Sequence, residues 1–403
     1  MRVTQGSNQT QFIAAIDSLE SNISQTQNQL SSGLAYTTPS QNPAAAGKVD
    51  NLDQALSQSQ QYSANANSAQ SGLNTEDTAL TQVTDQLQSL RDLALQANSG
   101  TVSTQNLSAI AAQAQQIQSS LLGLANTQDG NGNYIFAGYS SQAQPFSLTA
   151  TGATYAGDNG QRQVQIAPGQ TIPTGDNGNT VFNQIKTGNG TFVVTPGAVN
   201  TGTGVVGAST VANPAAYTGG SYSISFTTPT TYSVSATPAV IPPAAPVASG
   251  TYTSGQAISF SGIQVDLSGA PAAGDTFAVA PSGTQSLFTT VQNLVTALQT
   301  GTTSPSGQAQ LGNSVTAALN NIDQALAQTS TVQAAVGGRL NRLTTQLSLA
   351  TSQQAQLTQS ISSLQGLDYA AALTSLDSQN TTLSAAMQAF TLTQGLTLFK
   401  YIS

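Results

Sequence analysis

The sequence predicts an α+β protein, an elongated multidomain rod. Its N- and C-terminal helices pair as a coiled coil or bundle and carry an inserted antiparallel β domain. Three observations predict this. Apolar residues recur in alternating steps of three and four over both ends of the chain. The middle switches to alternation at every second residue, interrupted by turns rich in Gly, Asn and Pro. Only 6% of the 403 residues are Asp, Glu, Lys or Arg, where about 25% is usual. Such a surface stays wet on Gln, Asn, Ser and Thr, and places few charges where a neighbouring molecule would have to desolvate them.

The first helix runs through Phe12, Ile16, Leu19, Ile23, Thr26 and Leu30, a seam with Thr26 as its one polar member. Ser31-Ser32-Gly33 and the segment 38–43, which holds Pro39 and Pro43, break it. A second helix is expected over 44–98, with Val83, Leu87, Leu90, Ala94 and Ala97 on one stripe and Gly100 to end it. Ser103 or Thr104 caps a third, which carries Leu107, Ile110, Ala114, Ile117, Leu121 and Leu124.

From 138 to 286 the pattern is that of strands. The segments 164–166, 191–195, 221–226, 231–235 and 275–279 read as short antiparallel strands. Gly-Asp-Asn-Gly, present at 157–160 and again at 175–178, reads as a hairpin turn. Four prolines in 238–246 make a stiff linker or long loop, with one or two β lobes on its flanks.

Short helices at 287–298 and 311–326 then lead into a long seam: Val336, Leu340, Leu343, Leu347, Ala350, Gln354, Leu357, Ile361 and Leu364. After Gly366 a final helix offers Tyr369, Leu373, Leu376, Asn380, Leu383, Met387 and Phe390. The expected organisation is 1–43 with 367–403 as a terminal coiled-coil domain, 44–137 with 287–366 as a helical bundle, and 138–286 as the β-rich insert. A lone terminal helix rich in Ser, Thr and Asn is marginal. Residues 1–40 and 368–403 are therefore expected to be mobile in the monomer and to order on assembly.

Composition excludes several functions. The net charge of −8 comes with no basic patch, which argues against nucleic acid and anionic membrane as partners. Without His or Cys there is no Ser-His-Asp triad, no Cys nucleophile and no usual zinc set. No catalytic residue, cofactor or metal is expected. No apolar run is long enough to span a membrane, and 1–20 has no apolar block to serve as a cleavable signal.

Four motifs read as structural. Residues 202–207 match G-x-G-x-x-G, but Pro196 separates them from the preceding strand and no helix follows, so they read as a loop. Asp129-Gly130-Asn131-Gly132-Asn133 resembles half a calcium loop, yet Tyr134 stands where Gly is needed and Ser140 where Glu is needed. Asp158, Asp176, Asp266 and Asp275 are scattered acids, with nothing to unite them as a catalytic pair. Tyr217, Tyr222, Tyr232 and Tyr252 read as strand-packing aromatics, with a sugar-stacking adhesin surface as a remote alternative.

Several motifs, in order along the chain, carry a family resemblance. Gln29-Leu30-Ser31-Ser32-Gly33-Leu34 followed by Pro39-Ser40-Gln41-Asn42-Pro43-Ala44-Ala45-Ala46 resembles the N-terminal signature of the bacterial flagellin family. The Pro-Ser-x-x-Pro-x-x-Ala spacing is similar to its hook-associated branch. Tyr134, Ile135, Phe136, Gly138 and Tyr139, within NTQDGNGNYIFAGYSSQAQPF, resemble the same branch at its helix-to-β boundary. So do Arg339 in VGGRLNRL, Asp368 and Tyr369 in LDYA, and the ending GLTLFKYI. Gln41-Asn42 replaces the usual acidic pair, and Leu34-Ala35 the usual basic residues, so hydrogen bonds must replace salt bridges there.

The resemblance implies a structural subunit, not an enzyme. It implies a homo-oligomeric ring at the hook–filament junction, with a hook-associated protein on the hook side and the flagellin filament on the distal side. It further implies uncleaved type III export to the extracellular flagellum, and a cytoplasmic chaperone at the C-terminal helices. The paired termini would form an inner tube. A filament flagellin is the alternative.

Overall fold

The computed structural model describes residues 2–99, 102–237, 245–300 and 304–402. Gly100 and all but the last two residues of the proline-rich stretch 238–246 lie outside them. The helices are α1 (Arg2–Ser32), α2 (Pro43–Ala97), α3 (Thr104–Ala125), α4 (Leu287–Gln299), α5 (Pro305–Gln365) and α6 (Tyr369–Ile402). The chain divides into two compact units, Met1–Ala64 with Gln346–Ser403 and Asn65–Thr345, and the division falls inside α2 and α5.

The first unit holds α1, α6 and the adjoining ends of α2 and α5, with α1 packed on α6. Asn42 and Pro43 start α2 by two standard devices. The Asn42 side chain accepts from the Ala45 N–H at 3.1 Å, and Pro43 takes the first helical position, where a missing N–H costs nothing. Lower in the unit, Gln354 of α5 donates to Ser63 Oγ of α2 at 2.9 Å, so the single polar residue of that seam is satisfied across the pair.

In the second unit the buried stripe of α2 runs Ala66, Ala69, Leu73, Glu76, Leu80, Val83, Leu87, Leu90, Ala94 and Ala97 in unbroken three-four steps. The Ser103 hydroxyl caps α3, accepting from Asn106 N–H at 3.3 Å. The α5 helix differs from expectation. The separate helix at 311–326 and the seam beginning at Val336 are parts of one 61-residue helix. The reason is packing: Val315, Ala318, Ile322, Ala325, Thr329, Val332 and Val336 bury one continuous stripe across the join. Thr329 satisfies its hydroxyl on the Ala325 carbonyl at 2.8 Å.

The strands of the second unit, in chain order, begin with two hairpins. β1 (Phe146–Thr149) pairs with β2 (Gly152–Tyr155), and β3 (Gln163–Ala167) with β4 (Gln170–Pro173). A π-helical turn at Asn179–Asn183 precedes β5 (Ile185–Lys186). Then come β6 (Phe192–Pro196), β7 (Val205–Val206), β8 (Thr210–Val211), β9 (Ser221–Thr228), β10 (Thr231–Thr237) and β11 (Ala248–Thr251). The last are β12 (Ala257–Phe260), β13 (Ile263–Ser268), β14 (Thr276–Pro281) and β15 (Thr284–Gln285), which pairs with β5.

Five strands form an antiparallel sheet in the order β11-β10-β9-β14-β6. A second sheet has the order β12-β13-β7, with β8 also on β13. One core joins them, built from Phe192, Ile224, Phe226, Val234, Val265 and Phe277 among others. Tyr222 and Tyr252 are buried in that core, and Tyr217 and Tyr232 pack against it, the strand-packing role expected of them.

Neither Gly-Asp-Asn-Gly segment is a hairpin turn. The first lies between β2 and β3 and the second follows β4, and neither pair of flanking elements hydrogen-bonds together. Their acids bind elsewhere instead. Asp158 accepts from the N–H groups of Tyr139 at 3.0 Å and Gly160 at 2.7 Å, and Asp176 binds Arg339.

Candidate helix-pairing interface and its buried support

In the first unit the α1 seam faces inward as its spacing requires. Ile23 and Thr26 are buried, and Phe12, Ile16, Leu19 and Leu30 are half-buried. Phe12 stacks on Phe390 with ring centroids 5.4 Å apart, a geometry that adds to the area the rings bury. The α6 face turned inward is Ala372, Leu376, Gln379, Leu383, Ala386 and Phe390. Leu376, Leu383 and Phe390 belong to the seam read from sequence. Tyr369, Leu373 and Met387 each remain 53% exposed; Leu373 and Met387 lie off the face turned to α1, and Tyr369 sets only its hydroxyl against Gly33 at the end of α1.

The α1–α2 connection is clasped to the α5–α6 connection. Gly33, at φ 71°, ends α1 in the left-handed region that glycine tolerates. Leu34 bridges Gly366, Ala35 N–H donates to the Gln365 carbonyl at 2.7 Å, and Leu367 N–H donates to the Gly33 carbonyl at 3.0 Å. Pro39 lies in a turn closed by Gln41 N–H on the Thr38 carbonyl at 3.1 Å. Gln41 Oε1 accepts from Thr37 N–H at 2.7 Å, so uncharged side chains do hold this loop. Asp368 starts α6, accepting from the N–H groups of Ala370 and Ala371 at 3.0 and 3.1 Å. On α5, Ala350 is buried and Leu347, Leu357, Ile361 and Leu364 are half-buried.

In the second unit the 133–139 segment is a core element, not a surface loop. Ile135, Phe136 and Ala137 are buried. Phe136 meets Phe182 edge to face at 5.2 Å, and Phe182 meets Phe146 at 5.4 Å. A Cβ on Gly138, at φ 70°, would collide with Asp158. Tyr134 N–H donates to the Ser141 carbonyl at 2.8 Å. Tyr139 is 66% exposed, with its ring over Gly160 and its hydroxyl donating to the Gln161 carbonyl at 3.2 Å. On α5, Leu343 is fully buried and Leu340 half-buried.

Arg339 makes a two-pronged ion pair with Asp176, both bonds at 2.9 Å. Beside it lies Glu76, 1% exposed, whose carboxyl burial and the nearby Asp176 charge push up to about 8. Glu76 lies outside the α2 stripe predicted from sequence, which begins at Val83. The signal was there: it stands three after Leu73 and four before Leu80, a charged residue at a seam position in a chain with 16 acids in all.

Among the described residues no helix is long and apolar enough to cross a membrane. One unit that pairs the two terminal helices, with Leu373 and Met387 of α6 exposed, and a second that carries an antiparallel β insert are the parts of a structural subunit. Two family models match, the bacterial flagellin N-terminal helical region over 5–141 and the bacterial flagellin C-terminal helical region over 319–402. The chain belongs to the bacterial flagellin family, in the branch of the FlgL hook-associated proteins.

Among curated relatives it is 37% identical to flagellar hook-associated protein 3 of Salmonella typhimurium over 157 residues, 39% of this chain and 49% of that protein. The chain thus spans about half the length of the curated relatives it matches. Solved structures match over nearly their whole length. The Xanthomonas campestris FlgL crystal structure is 33% identical with a TM-score of 0.72, covering 77% of this chain and 99% of that one. The Legionella pneumophila flagellar hook-associated protein-3 is 32% identical with a TM-score of 0.74, covering 78% and 98%. The flagellar junction protein FlgL from the same organism is 34% identical with a TM-score of 0.67, covering 74% and 99%.

Proposed function

We propose that this chain is a structural, non-catalytic subunit of the bacterial flagellum that forms the junction between a hook-associated protein and the flagellin filament. The observation that carries this reading is the α1–α6 pair itself. It covers the seam between the two terminal helices and leaves Leu373 and Met387 outward, on a face where a further helix can pack. The similarity to a flagellar junction protein supports it.

In this reading 1–43 with 367–403 is the assembly domain, 44–137 with 287–366 its helical support, and 138–286 an appended β domain. Copies associate into a ring, with the hook-associated protein proximal and flagellin distal. The chain reaches the extracellular flagellum through type III export without cleavage, and a cytoplasmic chaperone covers the C-terminal helices until then.

A deletion strain tests the proposal. Intact hooks with flagellin shed into the medium, reversed by supplying the gene, is the expected result. Crosslinkers placed at the outward positions Leu373 and Met387 should capture a hook-associated protein and flagellin. Loss of the filament protein while caps and junctions persist would identify a filament subunit instead.

A further inference from the structure

Glu76 occupies a place on the buried α2 stripe where its neighbours Leu73, Leu80 and Val83 are apolar. Its Oε1 accepts from the Asp176 N–H at 3.0 Å, while Oε2 is buried and, among the described residues, has no hydrogen-bond partner. The single guanidinium nearby is already committed. Arg339 spends both Nη atoms on Asp176, at 2.9 Å each, and Gln161 Nε2 donates to the same carboxylate at 2.7 Å. The cluster therefore holds two carboxyl groups against one cation, with Glu76 itself out of reach of water and the Asp176–Arg339 pair at its edge, 12% and 18% exposed at the side chains. A second carboxylate there has one backbone donor and a guanidinium already shared with Asp176, too little to replace its hydration, which costs more than leaving it protonated.

We propose that Glu76, Asp176 and Arg339 form a proton-operated latch between α2, the 174–178 segment and α5, closed when Glu76 is protonated and loosened when it ionises. Closed, the cluster is neutral: Glu76 carries a proton on Oε2, Asp176 is anionic and Arg339 cationic. Release of that proton to solvent leaves a net charge of one negative against the Leu73 and Leu80 side chains. The charged groups acting on Glu76 are Asp176 from the 174–178 segment and Arg339 from α5; Gln161 is neutral.

Burial first, and the Asp176 charge second, push the Glu76 carboxyl up to about 8, against 4.5 for the free side chain, while Arg339 pulls the other way. The sign follows from proton counting. Between those values the folded chain holds a proton that the unfolded chain lacks, so unfolding becomes easier as pH rises. The latch's contribution is complete below 4.5, declines through neutral pH and is gone above about 8.

The experiment uses the full chain and its Glu76→Gln variant, in thermal unfolding and amide exchange corrected for intrinsic rates, from pH 5 to 9. In wild type the opening of 174–178 should rise by up to about tenfold per pH unit from pH 5 and level off above about 8, and in Glu76→Gln that slope should vanish. Equal slopes in the two proteins overturn the latch. So does a variant that is as open at pH 5 as wild type at pH 9, because the neutral side chain would then close the cluster no better than the ionised one. Should Glu76→Gln fail to fold, infrared spectra of wild type decide. A protonated carboxyl C=O band at neutral pH that disappears as pH rises past about 8 supports the latch, and its absence at neutral pH overturns it.

Discussion

Thr26 Oγ1 lies 3.2 Å from Gln379 Oε1, so the α1–α6 seam holds a polar pair drawn from positions 353 residues apart. Thr26 is 7% exposed and its hydroxyl also reaches the Asn22 carbonyl at 2.9 Å. An apolar seam of this kind would pair about as well if one helix slid by a turn, whereas a buried polar pair matches in one register only. The double change Thr26→Val with Gln379→Leu should therefore leave helical content intact or raised while loosening register. Cysteines placed at positions 12 and 390 report on this, since Phe12 and Phe390 stack. Their crosslink should form cleanly in the parent and fall in yield, with mixed products at other spacings, in the double variant.

The clasp between the two inter-helix connections predicts a different cost at Gly33. An alanine there must hold a left-handed φ, which costs about 1–2 kcal/mol, and its Cβ would lie 2.9 Å from the Tyr369 hydroxyl oxygen. Gly33→Ala should lower thermal stability by that order. Adding Tyr369→Phe should recover the steric share and leave the backbone share. Limited proteolysis within 33–43 is the local readout, and it should quicken in the single variant.

Caps give a third, smaller prediction. Asn42 and Asp368 each satisfy N–H groups that the first turn of a helix leaves open. Asn42→Ala and Asp368→Ala should each cost about 1 kcal/mol, seen as faster amide exchange over 43–46 and 369–372 respectively. The two sites share no partner, so their effects should add.

How much of this was legible from sequence differs by element. The seams of α1, α2, α3 and α5 were, because three-four spacing over many turns admits one helical face. The α6 face was not, although the helix was. Leu376, Leu383 and Phe390 belong equally to a stripe with Leu373, Asn380 and Met387 and to one with Ala372, Gln379 and Ala386. Large side chains drew the reading to the first, while α1 packs on the second, where small ones allow close approach.

Among the strands, 164–166, 191–195, 221–226, 231–235 and 275–279 lie in or overlap the observed strands, but their partners were out of reach of local pattern. β14 inserts between β9 and β6, a pairing made by side chains distant in sequence. The Gly-Asp-Asn-Gly segments misled for a related reason. Their composition suits a tight turn, and Asp158 and Asp176 are instead used as acceptors for groups far along the chain. Glu76 shows the reverse case, because its spacing from Leu73 and Leu80 is enough to place it on the buried side of α2.

Asp275 sets the last test, in the β lobe. It is 2% exposed and its two oxygens accept from three backbone N–H groups: Thr201 at 2.8 Å on Oδ1, and Gly202 at 3.1 Å and Ala272 at 2.9 Å on Oδ2. The N–H of Gly202, which opens the G-x-G-x-x-G segment, is spent on this carboxylate, and those of Thr203, Val206 and Gly207 go to Ala270, Asn313 and Asp266. An amide cannot replace the Asp275 carboxylate. Whichever way Asn is turned, its NH2 faces at least one backbone donor, which is left buried without an acceptor at about 1–3 kcal/mol. Asp275→Asn should therefore destabilise the lobe despite its near-identical shape, and Asp275→Ala should cost more, since all three donors lose their acceptor. Amide exchange should rise over 200–206 and 270–276 in both. Unchanged exchange in Asp275→Asn would mean that shape, not the pair of acceptor oxygens, holds that loop.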